Sequence, residues 1–223
     1  SLKKLEYRGY DSAGLATLTD NTINEKKCSG RVEELEKILF KTPSNGNIGI
    51  GHVRWATHGV PNVVNAHPHS SEKVSVVHNG IIENSDEIKK ELEKKGLNFK
   101  SQTDTEVITL LINEALKESN PLEAVFKTLN KLKGSFALGI LFKNFSDILI
   151  GARRGSPLAV GYSKNENYLG SDSYALKSMT NKISYLDDGE VCVLTKDNVS
   201  FYDVNQKKIN KKTHIMSEDD NVA

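Results

Sequence analysis

"GSFALGILFKNFSDILIGA", Gly134 to Ala152, holds two nearly unbroken apolar runs separated by a short polar stretch. Runs of this length bounded by turn residues predict buried strands joined by a turn. Downstream the pattern repeats in "PLAVGYS" (157–163), "NYLGS" (167–171), "GEVCVLT" (189–195) and "VSFYDV" (199–204), with one small helix, "DSYALKSM" (172–179), between them. Upstream, "GLATLT" (14–19) and "INEKKC" (23–28) flank turn residues and read as a hairpin. "NIGIGHV" (47–53) and "KVSVVHN" (73–79) are further strands, the second nearly without polar content. Helices fall between: "GRVEELEKILFKT" (30–42) places Val32, Leu35, Ile38 and Leu39 at helical spacing. Asn84 followed by Glu87 matches a capping box opening "SDEIKKELEKK", with Gly96 suited to the C-terminal cap. "DTEVITLLINEALKES" (104–119) is amphipathic, and "PLEAVFKTLNKL" (121–132) carries Pro121 at its first turn. Hairpin-connected strands around clustered helices predict an α+β fold with antiparallel sheets, not an alternating βαβ fold.

With 223 residues, 37% of them hydrophobic, the chain suffices for one sizeable core. Its 30 basic and 29 acidic side chains are interspersed, which leaves no electrostatic case for nucleic acid or an anionic membrane as partner. The longest apolar run, "FALGILF" (136–142), is far short of the ~20 residues that span a bilayer. Cys28 and Cys192 offer neither a disulfide framework nor metal-ligand spacing, which fits a reducing, cytoplasmic setting. Residues 206–223 are polar and charged and read as a linker from a domain covering 1–205 to something further on.

Several short stretches concentrate chemistry. "HVRWATHG" (52–59) packs an arginine, a tryptophan, a threonine and two histidines together. Arg54 reads either as an ordinary surface arginine or as a guanidinium fork for a carboxylate, such as that of a free amino acid. In "QTDTE" (102–106), Asp104 is either an N-cap or the partner of an ammonium; with Arg54 it would clamp a zwitterion. Asn79-Gly80 in "VVHNGII" is most simply a turn. Alternatively the Asn79 amide and the Gly80 N–H aim together at a developing oxyanion. In "EYRGYDSAG" (6–14), Arg8 and Asp11 form a candidate structural ion pair. His52, His58, His67, His69 and His78 invite a metal reading, but their spacing matches no zinc signature, and no metal or other cofactor is expected.

Taken in order, "LEYRGYDSAG", "GHVRWATHG", "NAHPH", "HNGIIEN" and "TDTEVI" resemble the N-terminal glutaminase domain of the glutamine:fructose-6-phosphate amidotransferases, the glucosamine-6-phosphate synthases. These are class II glutamine amidotransferases, of the N-terminal-nucleophile hydrolase family. The resemblance implies a four-layer αββα fold with two stacked antiparallel sheets between helical layers. It implies hydrolysis of L-glutamine to glutamate and ammonia, which passes to a C-terminal isomerase domain binding fructose 6-phosphate, in a cytoplasmic enzyme that is a homo-oligomer at full length. By the same resemblance, Arg54, Thr57 and His58 hold the glutamine carboxylate and Asp104 holds its ammonium. Asn79 and Gly80 form the oxyanion hole, Trp55 gates the ammonia channel, and Arg8 supports the reactive N-terminus.

The family's nucleophile is a mature N-terminal cysteine whose own α-amine shuttles the proton. This chain opens at Ser1, inside the helix that follows the catalytic strand, and is expected to continue upstream. As it stands it is expected to be inactive. The competing reading is a catalytically silent glutamine-binding module.

Overall fold

The computed structural model describes residues 2–56 and 59–216, leaving out the side chain of Arg8. A 3-10 helix over Leu2–Arg8 leads into strands β1 (Ser12–Thr19) and β2 (Thr22–Ser29), helix α1 (Val32–Lys41) and strand β3 (Ile48–Arg54). Then come β4 (His69–Ser70), β5 (Val74–Ile82), α2 (Ser85–Lys94), α3 (Asp104–Ala115) and α4 (Pro121–Leu129). The hairpin β6 (Gly134–Phe142) and β7 (Leu149–Arg154) follows, then β8 (Ala159–Tyr162), β9 (Asn167–Gly170) and the short α5 (Ser173–Leu176). Strands β10 (Lys182–Tyr185), β11 (Val191–Leu194), β12 (Val199–Tyr202), β13 (Lys208–Ile209) and β14 (His214–Ile215) complete the chain.

The Gly134–Ala152 segment pairs antiparallel, Phe136 to Leu141 against Arg154 to Leu149, inside a seven-stranded sheet ordered β13-β12-β11-β7-β6-β5-β4. Two smaller sheets, β2-β1-β3 and β14-β10-β8-β9, lie across from it. The two-residue alternation of β6 explains the stacking. Phe136, Leu138, Ile140 and Phe142 pack with Ile108 and Ile112 of α3 and Val125 of α4. Ala137 and Leu141, on the opposite face, pack with Ala16 and Ile50 of the small sheet and Val160 of β8. Beyond those sheets, Ala13 and Cys28 meet Val32 and Leu35 of α1, while Ala159 and Ile183 meet Leu176 of α5. The order is therefore helix, sheet, sheet, helix: the αββα architecture.

Burial holds these layers together. Each large apolar side chain removed from water contributes about 1.5–3 kcal/mol. Exposed ion pairs such as Lys37–Glu34, at 2.6 Å, give at most about 1 kcal/mol. Among the described residues no helix is long and apolar enough to cross a membrane.

Three local expectations are corrected. Asn84 precedes α2 but makes no side-chain cap bond. Its amide instead donates to the Lys131 carbonyl at 2.9 Å and accepts from the Lys133 N–H at 2.8 Å, tying α2 to the entry of β6. The Asn79-Gly80 pair is no turn: β5 runs through it, with Asn79 opposite Ala137 and Gly80 opposite Phe136. The polar stretch read as linker from 206 is folded as far as Met216. Lys208 and Ile209 pair with β12, His214 and Ile215 pair with β10, and Lys211 bridges Asp187 (2.6 Å) and Glu190 (2.7 Å). Charged side chains on edge strands satisfy solvent and ion partners while the backbone completes a sheet, so polarity alone did not mark a linker.

Candidate active site

Strand alternation delivers the site. On β3, Arg54 and His52 share the face of Ile50, which packs toward the seven-stranded sheet, whereas Val53 packs outward toward α1. On β5, Asn79 shares the face of Val77 toward the small sheet, and His78 points the other way, to α3. The result is a cleft of about 660 Å³ whose lining includes Arg54, Trp55, Asn79, Gly80 and Asp104. Five of the expected site residues are thus brought together. Thr57, His58 and the Arg8 side chain lie outside the described residues.

Arg54 is not an ordinary surface arginine; it is 3% exposed. Its Nη1 lies 3.3 Å from Asp11 Oδ1, and its Nη2 donates to the Gly59 carbonyl at 3.1 Å. The Ser12 hydroxyl also donates to Asp11 Oδ1, at 2.7 Å. Asp11, read from the sequence as a candidate partner for Arg8, is the counter-charge of Arg54. This pairing brings the "RGYDSAG" and "HVRWATHG" motifs together. It also fixes the guanidinium plane before any ligand arrives, which reduces the entropic cost of binding a carboxylate.

Asp104 is the first residue of α3 and does not act as its N-cap; that position is Thr103. The Asp104 carboxylate accepts the Ile82 backbone N–H at 2.8 Å through Oδ2, and Oδ1 stands 3.9 Å from His78 Nδ1. The helix N-terminus further favours negative charge there. Behind it lies a bed of histidines bound to hydroxyls. Thr105 Oγ1 sits 2.6 Å from His67 Nε2 and 3.0 Å from His78 Nδ1, and Thr103 Oγ1 sits 2.9 Å from His69 Nε2. Burial pushes the imidazole of His69 down to about 3 and that of His67 well below its ordinary range, so both are neutral. Among the described residues no three His, Cys, Asp or Glu side chains form a group able to hold a metal. His67, His69 and His78 bond to threonine hydroxyls, in keeping with their reading from the sequence as hydrogen-bonding residues around a cleft.

Asn79 Oδ1 lies 2.7 Å from His52 Nε2, a hydrogen bond that crosses between the two stacked sheets. Gly80, at φ +134°, occupies a backbone conformation that side chains rarely adopt, and a Cβ there would collide with the Ser135 carbonyl of β6. Only glycine fits this strand position. Trp55 is 66% exposed at the rim. Neither thiol lines the cleft. Both are buried: burial pushes Cys192 up to about 12 and raises Cys28, so each behaves as a small apolar side chain. The cleft extends along β3 and β9, edge strands of their sheets among the described residues, where Ile50, Gly51, Tyr168 and Leu169 line it.

Two stacked antiparallel sheets between helical layers, opening on a cleft that holds Arg54, Asn79 and Asp104, define a glutamine amidotransferase domain. A glutamine phosphoribosylpyrophosphate amidotransferase from B. subtilis, solved with ADP and GMP, superposes with a TM-score of 0.74 over 97% of this chain and 45% of its own, at 23% identity. A glutamine aminotransferase class-II domain protein from Silicibacter pomeroyi superposes at 0.62 over 86% of this chain and 91% of its own, at 16% identity. The glutamine amidotransferase domain family matches residues 60–178, and the chain belongs to that family. In sequence it is 50% identical over 211 residues, 94% of its length, to the glutamine–fructose-6-phosphate aminotransferase (isomerizing) of Zymomonas mobilis. It spans 35% of that relative.

Proposed function

We propose that this domain hydrolyses L-glutamine to glutamate and ammonia, and that within a longer protein the ammonia serves formation of glucosamine 6-phosphate from fructose 6-phosphate. The observation that supports this reading best is the convergence of Arg54, Asp104, Asn79 and Gly80 on one cleft. A fixed guanidinium and a helix-start carboxylate match the two charges of an amino acid, and the Asn79 amide and Gly80 N–H in the same cleft are donors suited to its reacting side-chain carbonyl. Thr57 and His58 complete the carboxylate contacts, and Arg8 braces the reactive N-terminus.

In this reading the thiol of an N-terminal cysteine attacks the glutamine amide carbon and passes its proton to the chain's α-amine. Asn79 and Gly80 stabilise the tetrahedral oxyanion. Collapse returns the proton to the departing nitrogen as ammonia, and water then cleaves the thioester to glutamate. Arg54 and Asp104 contribute binding, and the oxyanion donors contribute rate. The full-length enzyme works in the cytoplasm as a homo-oligomer; the two buried free thiols fit a reducing compartment.

The test compares residues 1–223 with the same chain extended upstream to an N-terminal cysteine. Residues 1–223 should release no glutamate above a protein-free control, because Cys28 and Cys192 lie outside the cleft. The extended chain should hydrolyse glutamine, and alkylation of its N-terminal thiol should abolish the activity. A rate untouched by alkylation overturns the nucleophile assignment. An extended chain that binds glutamine without hydrolysing it makes the domain a binding module.

A further inference from the structure

Asn79 serves as an oxyanion donor only through its NH2 group, and the side-chain amide has two orientations differing by a half-turn about its terminal torsion. One presents NH2 to the cleft and the other presents the carbonyl oxygen, which would repel a developing negative charge. Nothing in β5 itself selects between them. The selecting contact comes from the other sheet, where His52 Nε2 meets Asn79 Oδ1 at 2.7 Å.

The direction of that hydrogen bond follows from what each atom can do. An amide oxygen only accepts, so His52 Nε2 must carry the proton. The reverse arrangement, with Asn79 NH2 donating to a bare Nε2, would move the imidazole proton to Nδ1. Nδ1 is buried, and the imidazole's other hydrogen bond is to the His78 backbone. In that arrangement Asn79 NH2 would face His52 and leave its carbonyl oxygen toward the cleft, the orientation that repels an oxyanion. Burial also lowers the His52 imidazole to about 4, so it is neutral near pH 7 and has one proton to place.

We propose that His52 is the positioning residue of the oxyanion hole: from the opposite sheet its Nε2–H holds the Asn79 carbonyl and thereby turns the Asn79 NH2 toward the reacting carbonyl of glutamine. This rests on the reading of Asn79 as an oxyanion donor and deepens it. The stacking of the two sheets is then part of catalysis, since it sets the distance between β3 and β5. His52 touches no substrate; it acts through Asn79.

The experiment uses the full-length protein with its N-terminal cysteine and measures glutamine hydrolysis. His52→Leu should lower kcat by about ten- to a hundredfold, within the range for a lost oxyanion donor, with KM for glutamine changed by less than about twofold. His52→Gln, whose amide NH2 can replace the Nε2 donor, should recover kcat to within about threefold of wild type. In an Asn79→Ala background, His52→Leu should cost no further kcat, because the group it orients is gone. Equal losses in both backgrounds, or a Gln variant no better than Leu, overturn the proposal. A kcat loss in Asn79→Ala with none in His52→Leu overturns the His52 role alone; Asn79→Ala at full kcat overturns the oxyanion reading and the His52 role with it. Should the variants fail to fold, imidazole 15N shifts of the unaltered protein decide. A protonated Nε2 and bare Nδ1 are expected, and the opposite tautomer overturns the proposal.

Discussion

The Trp55 indole lies directly on the Cα of Gly9, so closely that a Cβ on Gly9 would fall among the ring carbons. Gly9 has φ +105°, a conformation unfavourable to any residue with a side chain, and precedes Asp11, which pairs with Arg54 beside Trp55. The "RGYDSAG" motif therefore supplies both the seat of the tryptophan and the counter-charge of the arginine that follow each other in "HVRWATHG".

Gly9→Ala should unseat Trp55. Since Trp55 is the only tryptophan, intrinsic fluorescence reports on it alone. Its emission and acrylamide quenching should both change, and stability should fall by about 1–3 kcal/mol from the strained backbone. Identical spectra and quenching would show that the ring does not depend on this glycine.

Arg54→Lys, in a chain extended upstream to an N-terminal cysteine, should raise KM for glutamine by about ten- to a hundredfold, since an ammonium cannot reproduce the planar fork and loses a charge-assisted contact. Asp11→Ala should act on stability as well, by about 1–3 kcal/mol, because it removes one charge partner from a guanidinium that is 3% exposed and keeps its bond to the Gly59 carbonyl. Urea unfolding separates the two effects. An unchanged KM in Arg54→Lys would remove that residue from substrate binding.

The buried histidines make stability depend on pH in a defined direction. Unfolded, they take up protons below about pH 6.5; folded, His52 stays neutral down to about 4 and His69 down to about 3. Between pH 6.5 and 4 the unfolded state binds more protons, so their contribution is complete above 6.5 and is lost as pH falls. Each proton taken up on unfolding subtracts about 1.4 kcal/mol per pH unit. Urea midpoints at pH 7, 6 and 5 should fall steadily, and His69→Gln should flatten the slope while lowering stability overall. An unaltered slope in that variant would mean His69 is already protonated in the fold.

Trp55→Ala distinguishes packing from gating. If Trp55 gates an ammonia path in the full-length enzyme, glutamate release should persist while amino sugar formed per glutamine consumed falls, with fructose 6-phosphate saturating. Both products are assayed in one reaction. A coupling ratio equal to wild type removes the gate, whatever the absolute rate.

Much of this was legible in the chain. The strands of Gly134–Ala152 and the helical spacing of Val32, Leu35, Ile38 and Leu39 depend on local periodicity, and both formed where that periodicity lay. Gly96 caps α2 as read, at φ +83°. Asn84 looked like a cap because Glu87 stands at the right spacing, yet its amide was claimed by the Lys131 carbonyl, 47 residues away. The tail beyond 206 looked like linker because edge strands tolerate charge.

The sequence by itself determined most of the helices and strands, and it singled out Arg54, Trp55, Asn79, Gly80 and Asp104, which line one cleft. Only the tertiary structure decided how those groups are held. Arg54 finds Asp11 at a separation of 43 residues, and Asn79 finds His52 at 27. Periodicity says which face of a strand a side chain leaves from. Which atom it meets there is set by the stacking of two sheets whose relative position no local propensity encodes.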